Sequence, residues 1–156
     1  MSLSKITKKL PQPNQGQRRL FLKAGCPFCT KLVVFISASG LLDKFKPIYD
    51  CPPVREYVAL VNDGKTSFPA LEIEENKIVM LETMDIINLL IKENNIQEQE
   101  LWAYHYFEAG LLQSYGALFG YLVQNEGGYP QARKWFAEHS EVIQQLCPPE
   151  GAVEVL

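Results

Sequence analysis

The sequence predicts an α/β domain over residues 17–95, followed by a short all-helical extension over residues 96–156. Three observations carry this. Before Asn95, short apolar runs bounded by Gly and Pro alternate with segments of helical period. Two adjacent runs are joined by the turn-prone pair Glu75-Asn76, which reads as a hairpin. After Asn95 the pattern becomes helical throughout. The order β-α-β-α-β-β-α describes a layered structure with a mixed, four-stranded sheet.

Residues 1–16 are polar, contain Pro11, Pro13 and Gly16, and read as a flexible arm. Arg18 to Leu22 is a short strand that stops at Gly25, and Pro27 sits where helices begin. The run Thr30 to Ser39 is rich in β-branched residues. As a helix it places Cys29, Leu32, Val33 and Ile36 on one face, with Gly40 as its stop. Its length and the proline at its first position outweigh β-propensity, which depends on context.

Phe45 to Asp50 is the second strand, and Val54 to Val61 a helix ending near Gly64. Ala70 to Glu74 alternates apolar and polar residues, as Lys77 to Leu81 does less cleanly. Thr83 to Ile91 is the next helix, with Thr83 as its N-cap. Residues 98–124 read as one helix with Leu101, Tyr104, Leu111, Tyr115, Leu118 and Leu122 on a seam and Trp102, Tyr106 and Phe107 off it. A helix so apolar on several faces is expected to be covered on two sides. Gly127-Gly128 ends it. Tyr129-Pro130 opens a last helix with Ala132, Trp135, Phe136, Ile143 and Leu146 on one stripe, closed by Pro148-Pro149.

A chain of 156 residues, 47% hydrophobic and 21% charged, can bury a sizeable core. Its net charge of -3 and lack of a basic stripe exclude a general nucleic-acid binder. No apolar run reaches the ~20 residues of a membrane span, so no membrane partner is expected. The four cysteines, Cys26, Cys29, Cys51 and Cys147, are too uneven for a secreted disulfide framework. The first acidic residue is Asp43, as in a transit segment, but Pro11 and Pro13 would break the amphipathic helix such a segment needs. A cytoplasmic location is the expectation. In that reducing compartment a close cysteine pair points to catalysis or metal binding.

The pair lies in Lys23-Ala-Gly-Cys26-Pro-Phe-Cys29. With Cys26 as N-cap and Pro27 at the first helical position, the Cys26 sulfur faces the free N–H groups of Phe28 and Cys29. Those donors and the positive helix end favour thiolate over thiol. Cys29, one turn inward, is poorly placed to meet outside thiols and well placed to attack a disulfide on Cys26. Cys26 is therefore the nucleophile and Cys29 the resolving thiol. Half a zinc site is the competing reading, but a structural site needs four ligands, and Cys51, Cys147, His105 and His139 are not at ligand spacing. No metal is expected. Two cysteines filling a core is the plainest alternative, although packing alone would not require Gly25 and Pro27.

Three segments together resemble a known group. Lys23-x-x-Cys26-Pro-Phe-Cys29, then Gly64-Lys-Thr-Ser-Phe68-Pro69-Ala-Leu, then Leu81-Glu82-Thr83-Met-Asp-Ile-Ile87 are similar to the glutaredoxins and to the N-terminal domain of glutathione transferases. The resemblance covers residues 17–95 and implies a thioredoxin-like fold with glutathione as co-substrate. It also implies roles for single residues. Lys23 adds positive charge near the thiolate and pairs a glutathione carboxylate, or is an ordinary lysine at a strand end. Pro69 is a cis-proline that aims the Phe68 backbone at a bound peptide, or a trans-proline opening a strand. Glu82 and Thr83 hold the γ-glutamyl end, or only cap a helix. Phe28 is either an exposed aromatic beside the thiol or part of the core. Met80-Leu81-Glu82 stands where small glutaredoxins carry a glycine pair, which is more transferase-like. The 96–156 segment is shorter than a full transferase helical domain.

Three functions follow as expectations. The first is a glutathione-dependent thiol–disulfide oxidoreductase acting on disulfides or glutathionylated proteins. The second is a Cys-type glutathione transferase or dehydroascorbate-reductase-like enzyme acting on a small electrophile. The third is a non-catalytic glutathione-binding interaction domain, motivated by the aromatic excess over 101–122, which a satisfied core or a homodimer seam explains more cheaply.

Overall fold

The computed structural model describes residues 3–23, 25–75 and 78–138. A four-stranded sheet of order β2-β1-β3-β4 is built from β1 (Arg18–Leu22), β2 (Phe45–Tyr49), β3 (Ala70–Glu74) and β4 (Ile78–Met80). β1 and β2 are parallel, with Arg18 opposite Phe45 and Leu22 opposite Tyr49. β3 runs antiparallel to both β1 and β4, pairing Phe21 with Ala70 and Leu71 with Met80. The parallel pair requires a crossover, supplied by α2 (Pro27–Ala38). Of the predicted Glu75-Asn76 turn and the 77–81 strand, Asn76 and Lys77 lie outside the described residues.

Helix α2 shows why its β-branched run is helical. Pro27 opens it without losing a hydrogen bond, since the first helical N–H has no partner anyway. At the far end Gly40 adopts φ 71°, and the Leu41 N–H bonds Ile36 O at 2.9 Å while the Gly40 N–H bonds Ser37 O at 3.1 Å. This paired closure satisfies the last carbonyls and needs a residue without a Cβ at Gly40. The inner face carries Cys29, Leu32, Phe35 and Ile36.

Strand alternation distributes the core to both faces of the sheet. Leu20, Leu22 and Leu71 pack under α2 and α4 (Thr83–Asn94), with Ile86, Ile87, Leu90 and Tyr104. Phe21, Ile48, Ala70 and Val79 pack under α3 (Pro52–Val61), with Val54, Tyr57 and Val58.

The second face departs from the expectation of a flexible arm over residues 1–16. Leu3–Thr7 forms a short helix, α1, and Ile6 and Leu10 are buried in the cluster around Tyr57. Their spacing is that of neighbours on a helix surface, so a mostly polar segment still offers two apolar anchors. The side chain of Arg19 holds the following residues, donating to Pro11 O at 3.2 Å and to Gln12 Oε1 at 2.8 Å. Ile6→Val is expected to cost about 0.5–1.5 kcal/mol in urea unfolding, the range for losing one buried methylene. An arm free of the core would give no change.

The helical half also departs from its expected pattern. The predicted helix over 98–124 is α5 (Trp102–Phe107), a π-helical turn (Glu108–Leu112) and α6 (Gln113–Asn125). The wide turn inserts extra chain into the helix and rotates everything after it. The predicted seam is therefore split. Tyr104 is fully buried against Phe35, edge to face at 5.4 Å, whereas Leu111 and Leu118 are exposed. α6 contains no buried residue, so the expectation of cover on two sides is not met among the described residues. The last described helix is α7 (Tyr129–Glu138); Ile143, Leu146 and the Pro148-Pro149 stop lie outside the described residues.

Candidate active site

Strand direction gathers the predicted site at one end of the sheet. β1, β2 and β4 run the same way and β3 opposes them. The segments that follow β1, β2 and β4, and the one that precedes β3, therefore share an edge. They carry Lys23 to Cys29, Asp50, Glu82-Thr83 and Phe68-Pro69 respectively.

Cys26 is the N-cap of α2, with extended backbone (φ -86°, ψ 118°). Its Sγ accepts the Cys29 N–H at 3.4 Å and, as a thiol, donates to Phe68 O at 3.6 Å. The hydrogen bond from the Cys29 thiol, the N–H groups of Cys29 and Phe28 and the Lys23 charge pull its pKa down to about 6, while partial burial opposes them. These are charge-stabilising contacts at a helix N-terminus, so the thiolate is the favoured form at neutral pH.

Cys29 is only 4% exposed and accepts the Lys23 N–H at 3.3 Å. Its pKa is pushed far up, first by the hydrogen bond it gives to Cys26, then by burial and by the Cys26 charge. One proton is thus held between two sulfurs, on the inner one. The negative charge accordingly rests on the outer sulfur, Cys26.

The Phe68–Pro69 bond is cis, the isomer the resemblance implies, and the Phe68 ring wedges between the two core clusters. Phe28 is 57% exposed, which resolves the two readings in favour of an aromatic facing solvent. The Lys23 ammonium lies 4.0 Å from Asp50 Oδ2. It is therefore neither isolated nor dedicated to the cysteines.

Asp50 identifies a residue that sequence reading missed. Its buried carboxylate is clasped by Arg55 through Nε at 2.7 Å and a second nitrogen at 2.9 Å. Lys23 and Arg55 thus flank one acid at the edge where Cys26 sits. The available signal was an arginine in the first turn of a helix opened by Pro52-Pro53, where a cation opposes the helix dipole and needs an acid nearby.

At the other strand, the N-cap of α4 is Glu82 and Thr83 is the first helical residue, so the cap falls one position earlier than the predicted Thr83. The Glu82 carbonyl accepts the Ile86 N–H at 3.0 Å, while its side chain makes no capping bond. A hairpin strand ending at Met80 leaves room for Leu81 as the only linker, which sets this boundary.

Neither a protein-family model nor a curated protein sequence matches the chain. The Cys26 site therefore stands on its own geometry.

A second missed residue comes from the helical half. The Tyr115 hydroxyl of α6 donates to Gly25 O, beside Cys26, at 3.5 Å. Its pKa is raised, mainly by burial and next by the Cys26 charge. Tyr115 had only its place on a helical seam to mark it. Among the described residues no group of three or more His, Cys, Asp or Glu could hold a metal ion, and no helix is long and apolar enough to cross a membrane.

Proposed function

We propose that this chain is a glutathione-dependent thiol–disulfide oxidoreductase built on a thioredoxin-like domain of the glutaredoxin and glutathione-transferase type, working in the cytoplasm. The observation that carries the reading is Cys26 Sγ on the end of α2, accepting the Cys29 N–H at 3.4 Å with its pKa lowered to about 6.

The chemistry follows from the two sulfurs. The Cys26 thiolate attacks one sulfur of a glutathionylated substrate, forming a Cys26–glutathione disulfide and breaking the old S–S bond. The leaving thiolate takes a proton from water. A second thiolate, from glutathione or from Cys29, attacks that disulfide and regenerates Cys26 or forms the Cys26–Cys29 disulfide. By the glutathione route the substrate leaves as a thiol, and its glutathionyl group departs with one free glutathione as glutathione disulfide. By the Cys29 route that glutathione leaves as a thiol, and two further glutathiones reduce the Cys26–Cys29 disulfide and leave as glutathione disulfide. Cys29 is held as a thiol chiefly by Cys26. Once Cys26 enters a mixed disulfide its charge is gone, and Cys29 becomes easier to ionise when it is needed.

The sheet edge suits a bound tripeptide. From β1 to β4 is two strand spacings, about 10 Å, and an extended tripeptide spans about 10 Å. Lys23 and Arg55 at one side share the single Asp50 carboxylate, which leaves one net positive charge toward a substrate carboxylate. Glu82 and the start of α4 offer an acid and free N–H groups for an amino-acid end. Phe68 presents its backbone between them, as in strand addition.

The test is turnover with a glutathionylated peptide, glutathione and a coupled reductase. Cys29→Ser is expected to retain most of this activity, because free glutathione replaces the resolving thiol, and to lose activity on dithiol-dependent disulfides. Glutathione binding with no turnover would favour a non-catalytic glutathione-binding domain instead. The transferase reading is supported by the Tyr115–Gly25 contact, which brings the helical half up to the nucleophile. Conjugation of a chromogenic electrophile without disulfide reduction would favour it.

A further inference from the structure

Cys26 is bordered on three sides. The Cys29 N–H lies beneath the sulfur, Phe68 O lies on the sheet side, and Tyr115 reaches Gly25 O from the helical side. The first two borders belong to any N-capping cysteine beside a strand edge. The third comes from a helix outside the sheet layers.

Tyr115 has a buttress behind it. Its ring stacks on Phe119 at 6.0 Å and 7°, Phe119 meets the edge of Tyr129 at 5.3 Å, and the Arg133 guanidinium lies over Tyr129 at 5.1 Å. The row runs from the loop before Cys26 across α6 to α7. Such offset and edge contacts fix ring orientation better than simple apolar burial does.

That row is not what holds the helical half on the domain. Tyr104 is fully buried against Phe35, and Lys31 of α2 pairs with Glu108 in the π-helical turn. The Tyr115 hydroxyl bond, by contrast, is long and solvent-exposed. Bonds of that kind contribute little to global stability. The placement of Tyr115 therefore matters chiefly at the mouth of the Cys26 site.

We propose that Tyr115 is a specificity-determining latch that seats α6 against the Gly25-Cys26 loop and narrows the approach to Sγ to slim disulfides. A glutathione disulfide or a mixed disulfide on an extended peptide enters. A disulfide set in a folded protein surface does not, because its flanking surface meets the Tyr115–Phe119 wall. This rests on Cys26 being the nucleophile of the proposed oxidoreductase.

The test compares wild type, Tyr115→Phe and Tyr115→Ala. Each is alkylated at pH 7 with iodoacetamide, a small probe, and with fluorescein maleimide, a bulky one. Modification is followed at Cys26 by peptide mass. The expected result is that Tyr115→Ala raises the bulky-to-small rate ratio by about tenfold, the scale on which steric fit discriminates. Tyr115→Phe, which keeps the stacked ring and loses only the hydroxyl bond, raises it by about twofold to threefold, with the iodoacetamide rate held within about twofold. A merely structural tyrosine would move both probes together or neither. An unchanged ratio in Tyr115→Phe and Tyr115→Ala, both folded by circular dichroism, overturns the proposal. Slow iodoacetamide reaction of wild-type Cys26 would instead strike the nucleophile reading, since the ratio is still read in that case.

Discussion

Cys26→Ser is expected to lower glutathione-linked disulfide reduction by more than about a thousandfold, since a serine hydroxyl at neutral pH cannot replace a thiolate. The companion measurement is the pH profile of Cys26 alkylation, expected to have its midpoint near the lowered pKa of about 6. Magnitudes decide where the advantage appears. Against an ordinary thiol near 8.5, the thiolate fraction at pH 7 is about thirtyfold larger. Nucleophilicity falls with basicity, with a Brønsted slope of about 0.4–0.5, which removes about tenfold of that. The net gain is thus about twofold to threefold at pH 7 and about tenfold at pH 6. The low pKa helps again when Cys26 is the leaving group, because lower-pKa thiolates leave faster. A midpoint at the ordinary thiol value would remove the basis of the proposed function.

The same shift links to stability. The folded pKa of Cys26 lies below its unfolded value. Its contribution is therefore complete above the unfolded pKa and is lost as pH falls through about 6. The stability of the reduced protein relative to Cys26→Ser should rise between those limits, and urea titrations across that window check it.

Glu72→Leu should carry the largest stability penalty, about 3–5 kcal/mol, because it leaves the Arg19 guanidinium buried without its counter-charge. Both side chains are essentially inaccessible, and they bond at 3.1 and 3.3 Å. The Tyr57 hydroxyl donates to the same carboxylate, and its pKa is pushed up by burial first and by Glu72 next. Arg19 also anchors Pro11 and Gln12, so the loss should spread to the α1 region. The double variant Arg19→Met, Glu72→Leu is expected to recover most of the loss, because apolar side chains of similar volume avoid the desolvation cost. Urea unfolding of the four members of this cycle measures the coupling. If Glu72→Leu costs no more than a surface substitution, about 0.5 kcal/mol, the pair is not functioning as a buried unit.

This cluster also shows where sequence reading stopped. The alternation Ala70 to Glu74 suggests a strand with one wet face, yet Glu72 is buried. Period-2 patterning says which residues share a face but not whether a helix covers that face. Here α3 and the segment after α1 cover it, and the partner charge sits on β1 as Arg19. The Ile6 and Leu10 spacing was visible, but two apolar residues in a polar segment do not announce a docking site. The π-helical turn was invisible for a related reason. Helical periodicity assumes a constant angle per residue, and one wide turn moves Leu111 and Leu118 off the predicted seam.

What the sequence alone determined is the local chemistry of Cys26. Its exposure to the Phe28 and Cys29 N–H groups needs only a helix starting at Pro27, and α2 starts there. Four consecutive residues are enough, because capping geometry is set by adjacent dihedral angles. Tertiary structure decided what surrounds that sulfur. The Phe68 carbonyl comes from 42 residues away and Tyr115 meets Gly25 across 90. Contacts at such separations depend on how layers pack and where chains turn, and no local pattern encodes them. The thiolate is a property of the motif; the company it keeps is a property of the fold.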